Sequence, residues 1–145
     1  MNNHPIVGFT GTQRGMTVAQ LSKFKLVIRE LDPWDFHHGD CIGADAQAHD
    51  IVQTSFPNKV NIHIHPPTNK SKQAFKKGDD VWPIKPYLER NHEMVHACNI
   101  LIATPGESVM KLRSGTWATI RYAQRHSKHI ITIYPDGSVF EEGKE

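Results

Sequence analysis

Residues 5–12 read Pro5-Ile6-Val7-Gly8-Phe9-Thr10-Gly11-Thr12, and Gln13-Arg14-Gly15 carry the chain on through a glycine turn. An apolar run of strand length, then a turn, then a helical pattern is the opening of a βα unit. The helix begins at Thr17-Val18-Ala19-Gln20, a capping box with Thr17 at the N-cap and Gln20 at N3. Leu21, Phe24, Val27, Ile28 and Leu31 follow at helical spacing, and Pro33 stops the run.

The same unit repeats along the chain. Residues 34–38 form a short second strand, 44–56 a helix ending before Pro57, and 60–65 a strand in which Val60, Ile62 and Ile64 alternate with Asn61, His63 and His65. Residues 87–98 are helical, 100–105 (ILIATP) a buried strand, 115–127 helical and 129–134 (HIITIY) a last strand. This alternation predicts an α/β fold with a parallel sheet of about five strands between helices. Residues 1–137 are read as a single domain and 138–145 as a C-terminal tail. The polar, lysine-bearing stretch 68–86, about nineteen residues long, exceeds an ordinary connection and is read as a flap or lid.

Composition narrows the function classes. The 145 residues are 38% hydrophobic and 22% charged with a net charge of +2, which fits a soluble globular chain. The apolar runs are far too short to span a bilayer. No basic-then-apolar leader opens the chain, and Cys41 and Cys98 form no tight pair, so a reducing cytoplasm is expected. Lys111, Arg113, Arg121, Arg125 and Lys128 lie in an acid-free stretch, and Lys70, Lys72, Lys76 and Lys77 form a second basic group. A basic side suits an anionic ligand, although a solvated helix face explains Arg121 and Arg125 equally well.

Three glycine turns carry the chemistry: residues 8–15, then Gly39-Asp40-Cys41-Ile42-Gly43-Ala44-Asp45, then Arg113-Ser114-Gly115-Thr116. Each stands before a helix. Glycine allows close backbone approach, and a helix N-terminus offers free N–H groups to a phosphate. In a parallel sheet such turns gather beyond the carboxyl ends of the strands, as one shared site requires. The candidate ligand contacts are Gly11, Thr12, Gln13 and Arg14; Gly39, Asp40, Gly43 and Asp45; Arg90 and Asn91; and Arg113, Ser114, Gly115 and Thr116. Asp45 either binds a ribose hydroxyl or favours the first turn of its helix. Trp82 and Trp117 are candidates to stack on a base, Trp117 also to pack in its own helix.

His92-Glu93-Met94-Val95-His96 spells the H-E-x-x-H zinc signature, but an apolar strand begins within four residues and no third ligand follows. His63 and His65 are read on the outer face of a strand, with His65 near the site. No nucleophile elbow, Walker P-loop or Cys-x-x-Cys is present. No catalytic residue, metal or cofactor is therefore assigned.

The motif of residues 39–49, Gly39-Asp40-Cys41-Ile42-Gly43-Ala44-Asp45-Ala46-Gln47-Ala48-His49, is similar to a "G-x-x-x-G-x-D-x-x-A-H" segment of the SLOG superfamily. Leu88-Glu89-Arg90-Asn91 with residues 100–105 resembles its arginine-bearing helix and following strand. Residues 113–123 resemble its second glycine motif, closest to the DNA-processing branch. The resemblance runs from about residue 5 to 137. It implies a Rossmann-like three-layer fold, a nucleotide or nucleotide-derived ligand, and self-association as a homodimer or higher homo-oligomer.

One departure matters. The LOG-type phosphoribohydrolases of this superfamily carry G-G-x-G-T-x-x-E, and the glutamate position falls here on Thr119. Without that carboxylate, acid–base help worth roughly 10²–10⁴-fold is missing. The leading expectation is thus a binder that senses or sequesters a signalling nucleotide. Two alternatives stand beside it: N-glycosidic hydrolysis centred on Arg90, with a carboxylate from Glu89, Glu93 or Asp45, and single-stranded DNA binding.

Overall fold

The structure is a computed structural model that describes residues 4–143. Seven strands and four helices follow in the order β1 (Ile6–Gly11), α1 (Val18–Leu31), β2 (Asp35–His38), α2 (Ala44–Ser55), β3 (Asn61–Ile64), β4 (Asp80–Val81), α3 (Tyr87–Ala97), β5 (Ile100–Thr104), α4 (Gly115–Arg125), β6 (His129–Ile133) and β7 (Val139–Glu142). The sheet order is β4-β3-β2-β1-β5-β6-β7, and every pairing is parallel except β6 with β7. The fold is α/β and Rossmann-like in character.

The period of two along the strands sorts the core into two layers. Val7, Phe9, Phe36, Ile62, Ile64, Ile100, Ile102, Ile131 and Ile133 pack with Phe24 and Ile28 of α1 and Ala44, Ala48 and Val52 of α2. The alternate residues Leu101, Ala103 and Ile130 turn the other way, onto α3 and α4 through Met94, Val95, Ala123, Trp117 and Ile120. Phe9, Phe24 and Phe36 meet at ring-centroid distances of 5.3, 6.1 and 6.3 Å. Fully burying each such ring contributes about 1.5–3 kcal/mol.

Two strands exceed the predicted five. Val139–Glu142, read as tail, returns antiparallel on β6. The Pro135-Asp136-Gly137-Ser138 turn that folds it back has Gly137 at φ 87°, and Tyr134 N–H donates to Ser138 O. Such an Asp-Gly pair is a hairpin signal. Residues 144–145 of the predicted tail lie outside the described residues.

The segment 68–86 holds a 3-10 turn at Lys70–Lys72 and the edge strand β4. It is fastened to the sheet ends. Ala74 N–H donates to Asp40 O, Asp79 N–H to Ile62 O and Trp82 N–H to Ile64 O.

The capping box forms as the sequence predicts, Gln20 N–H donating to Thr17 Oγ1 and Thr17 N–H to Gln20 Oε1. Gln20 does more than cap. Its buried amide nitrogen donates to Pro105 O at 2.8 Å and Ile133 O at 2.9 Å, which fixes the exit of β5. No helix among the described residues is long and apolar enough to cross a membrane.

The histidines of β2 and β3 divide across the sheet. His38 turns toward α2, where its Nε2–H donates to His49 Nδ1 at 2.9 Å, because its Nδ1 already accepts Asp40 N–H. On the other face His37, His63 and His65 run side by side. Contrary to the outer-face expectation, His65 is fully buried. Trp82 packs against it there, its ring centroid 4.5 Å from that of His65.

Candidate functional site

β1 and β5 lie side by side, yet the chain leaves β1 for α1 on one face and β5 for α4 on the other. A crevice opens at such a switch point, beyond the strand ends. Here it is a cleft of about 770 Å³, within the range of small-molecule sites.

The first two glycine turns are joined back to back. Thr12 O accepts from both Gly15 N–H (3.1 Å) and Ala44 N–H (3.0 Å), while Thr12 N–H donates to Thr104 O. Gly43 sits at φ 88°, with the Gln13 carbonyl where a side chain would start. At Gly11 a Cβ would meet Thr104 Oγ1 and fall 2.5 Å from the Ala44 methyl. These glycines are therefore needed for loop-on-helix packing, and the turn at Thr12, Gln13 and Arg14 owes its shape to them.

The floor is formed by Gly39, Cys41, Asp45 and Arg90. Arg90 is 2% exposed; its Nη1 donates to Gly39 O at 2.6 Å and His65 O at 3.2 Å. Its guanidinium carbon lies 5.0 Å from the Tyr87 ring centroid. Gly39 is glycine because the Arg90 guanidinium occupies its Cβ position. Asp45 Oδ2 accepts Cys41 N–H at 3.2 Å. Burial pushes the Asp45 carboxyl up to about 6, against the pull of Arg90. Burial, then the Asp45 charge, pushes the Cys41 thiol up to about 11, so it is a poor nucleophile.

The rim is basic. Arg14, Lys72, Lys111 and Arg113 line it, with Glu107 the acid among them. α4 begins on this side with Ser114 as N-cap, its hydroxyl accepting Trp117 N–H. The Gly115 and Thr116 N–H groups, which have no intrahelical acceptor, form the positive end of the helix dipole. The Tyr87 hydroxyl lies against Gly115, where a Cβ would stand.

Of the fourteen residues the sequence singled out, Gly11, Thr12, Gln13, Arg14, Gly39, Asp45, Arg90, Asn91, Arg113, Ser114, Gly115 and Thr116 line the cleft. Asp40 and Gly43 do not. Asp40 is buried and turned to the 68–86 segment, accepting Lys76 N–H at 3.0 Å and the Gln73 amide at 3.2 Å. Trp82 and Trp117 are also absent from the lining. Trp82 packs on the histidines and Trp117 in α4.

The H-E-x-x-H run does not converge. His92 stacks on Tyr122 at 3.7 Å, while Glu93 accepts from His65 and pairs with Lys85. Among the described residues no cluster of three metal-ligating side chains forms. Thr119 donates its hydroxyl to Gly115 O at 3.0 Å and lies outside the lining.

The sequence reading missed Tyr87 and Glu107, and it named Lys72 and Lys111 only as members of basic groups suited to an anionic ligand. Glu107 had a legible signal, since it follows the buried strand β5 just as Arg14 follows β1. It reaches across: Oε2 accepts from Arg14 Nη2 at 2.8 Å and Oε1 from Trp117 Nε1 at 3.2 Å. An internal carboxylate thus occupies Arg14. Glu107→Gln removes a competing negative charge and is expected to tighten binding of inorganic pyrophosphate roughly threefold to tenfold. Isothermal titration at fixed ionic strength checks this, and weaker binding would show that Glu107 serves the site by holding Arg14.

No protein-family model matches the chain. No curated protein matches it either.

Proposed function

We propose that this chain is a small SLOG-like protein that binds a nucleotide or nucleotide-derived small molecule in the β1/β5 cleft, and so senses or sequesters it. One observation carries the reading: all three glycine turns, Arg90 and Arg113 converge on one cleft that is basic at its rim. The cleft volume suits a ligand of nucleotide size. The free N–H groups of α4 suit a phosphate.

The test is native mass spectrometry with a nucleotide panel, followed by reweighing the released ligand. A ligand recovered intact supports binding without turnover; no adduct with any nucleotide overturns the reading. Arg113→Ala is expected to weaken a bound nucleotide by about 1.5–3 kcal/mol, the scale of a charge-assisted hydrogen bond. Equal titration curves for the two proteins would remove the phosphate from this end of the cleft.

N-glycosidic hydrolysis is the second reading, and Asp45 favours it. Of the three acids considered from sequence it alone lines the cleft, and its raised pKa suits an acid–base role. Recovery of a ligand without its base, lost in Asp45→Asn, would establish it. Single-stranded DNA as partner would instead appear as an affinity that falls steeply with salt. Self-association as a homodimer or larger assembly belongs to the same proposal and is read by sedimentation equilibrium.

A further inference from the structure

No residue from 68 to 86 is buried, and none joins a core cluster. Phe75, Val81 and Ile84 are each more than half exposed. The segment is therefore held down chiefly by polar contacts, and these gather at two stations. At the second glycine turn, Ile42 N–H donates to Lys72 O at 2.9 Å and Ala74 N–H to Asp40 O at 2.7 Å. The buried Asp40 carboxylate accepts Lys76 N–H and the Gln73 amide. At the sheet edge, Asp79 N–H and Trp82 N–H donate to Ile62 O and Ile64 O, and His63 Nδ1 meets Asp80 Oδ2 at 2.9 Å. Lys76 pairs with Asp50 and Lys85 with Glu93, while the half-buried Trp82 ring lies against His37 and His65.

A segment with few buried apolar contacts opens at a fraction of the free energy of the whole fold. Pro66-Pro67 and Pro83 bound this one, and proline has no N–H with which to carry an opening or a ladder onward. Backbone strain acts in the same direction. Phe75 stands at φ 58°, a strained conformation for a bulky residue, and no packing of its exposed ring compensates. Lifting the segment relieves it.

The same segment supplies Asn69 and Lys72 to the cleft lining. Lys72 stands at the rim with Arg14, Lys111 and Arg113, and Glu107 is the acid among them. Repulsion among these cations favours the lifted position. An anion held between them reverses the sign, and a ligand that gains a contact in one position shifts the balance toward it.

We propose that residues 68–86 form a strap that opens and closes as one unit while the sheet stays folded, and that an anion in the cleft closes it through Lys72. The second half rests on the anionic-ligand reading of the cleft above and adds its regulation; the first half stands without it.

The experiment is residue-resolved native-state hydrogen exchange on the full chain at pH 6.5, with inorganic pyrophosphate as the probe. Without pyrophosphate, the Ala74, Lys76, Asp79 and Trp82 amides should share one opening, at least about 100-fold more frequent than that of the β1 and β5 amides and little affected by dilute urea. With pyrophosphate at about ten times its dissociation constant, these four amides should slow roughly threefold to tenfold. Tyr134 N–H, in the β6–β7 turn outside the cleft, is the control and should not respond. In Lys72→Ala, brought to the same saturation, the slowing of the four strap amides should disappear while that of the β1 and β5 amides persists.

Four unrelated opening rates, or exchange of these amides only with the sheet, overturn the strap. Pyrophosphate that binds by isothermal titration yet leaves the four amides unchanged overturns its coupling to the cleft, as does unaltered slowing in Lys72→Ala. If pyrophosphate does not bind at all, the anion reading of the cleft falls and takes the coupling with it.

Discussion

On titration below pH 6.5 the stability of this protein is expected to fall by roughly 1–3 kcal/mol per pH unit, with unfolding in mildly acidic solution. The cause is the set of buried imidazoles. Burial, then the neighbouring His63 and His65, holds His37 down to about 3. Burial, His49 and other cationic neighbours hold His38 well below the usual histidine range. Burial also lowers His65, against Glu93, and His49, against Asp50.

The hydrogen bonds show why these rings resist protons. His65 Nδ1–H donates to Glu93, so its Nε2 accepts His37 Nδ1–H at 2.8 Å and has no room for another proton. His38 Nδ1 accepts Asp40 N–H and is closed in the same way.

A depressed histidine gives stability that is whole above the unfolded value near 6.5 and is lost as pH falls toward the folded one. Asp45 has the opposite sign. Its raised carboxyl keeps a proton in the folded chain between about 4 and 6, which offsets one histidine there. His63, held between Asp35 and Asp80, is raised; its contribution is present below 6.5 and fades as pH rises. With the strongly depressed His37 and His38, joined by the lowered His65 and His49, against one carboxyl, proton uptake on unfolding wins. A total stability of about 5–15 kcal/mol cannot survive many such units. Urea unfolding followed by circular dichroism at pH 7.5, 6.5 and 5.5 measures the slope; a flat profile would mean that the rings are not held neutral.

Gly43→Ala is the second large effect, expected to destabilise the fold by about 3–4 kcal/mol. Gly43 combines φ 88° with ψ −127°, a conformation left almost entirely to glycine. Its Cβ would also run into Gln13 O, with Thr12 O only 2.8 Å away. Both obstacles are backbone, so a rotamer change cannot relieve them. The same shift displaces the Thr12–Arg14 turn, so pyrophosphate binding should weaken although Gly43 does not line the cleft. Gly15→Ala is the control: φ is 93°, but the nearest atom is the flexible Gln47 Oε1 at 3.4 Å. Its cost should be near about 1 kcal/mol. Chemical denaturation of the two variants gives the order, and a Gly43→Ala change no larger than that of Gly15→Ala would refute the packing account.

How far the sequence could be read follows from how local each feature is. Thr17 and Gln20 are three residues apart, and their box forms as written. The turn at Asp136-Gly137 was equally local, but the short polar-flanked strand after it read as tail. Asp40 illustrates the opposite case. Its place in a glycine turn marks it as a contact, yet its carboxylate is taken by Gln73 and Lys76, 33 and 36 residues away. Glu107 and Arg14, 93 residues apart, meet only because β1 and β5 are neighbours.

What the sequence determined by itself is the succession of the four helices and five of the seven strands, the α/β class and the glycine turns that end β1 and β2 and open α4. Those depend on periodicity, capping and backbone freedom within a few residues. What the tertiary structure decided is the crossing from β3 and β4 over to β5, which places these turns around one cleft. It also decided which side chains have a partner and which do not. Arg90 carries the same charge in any sequence context; only the packing of α3 against β1 and β2 buries it with an unsatisfied Nε beside Asp45. Burial, and the pairing of polar groups within it, are properties of the assembled chain.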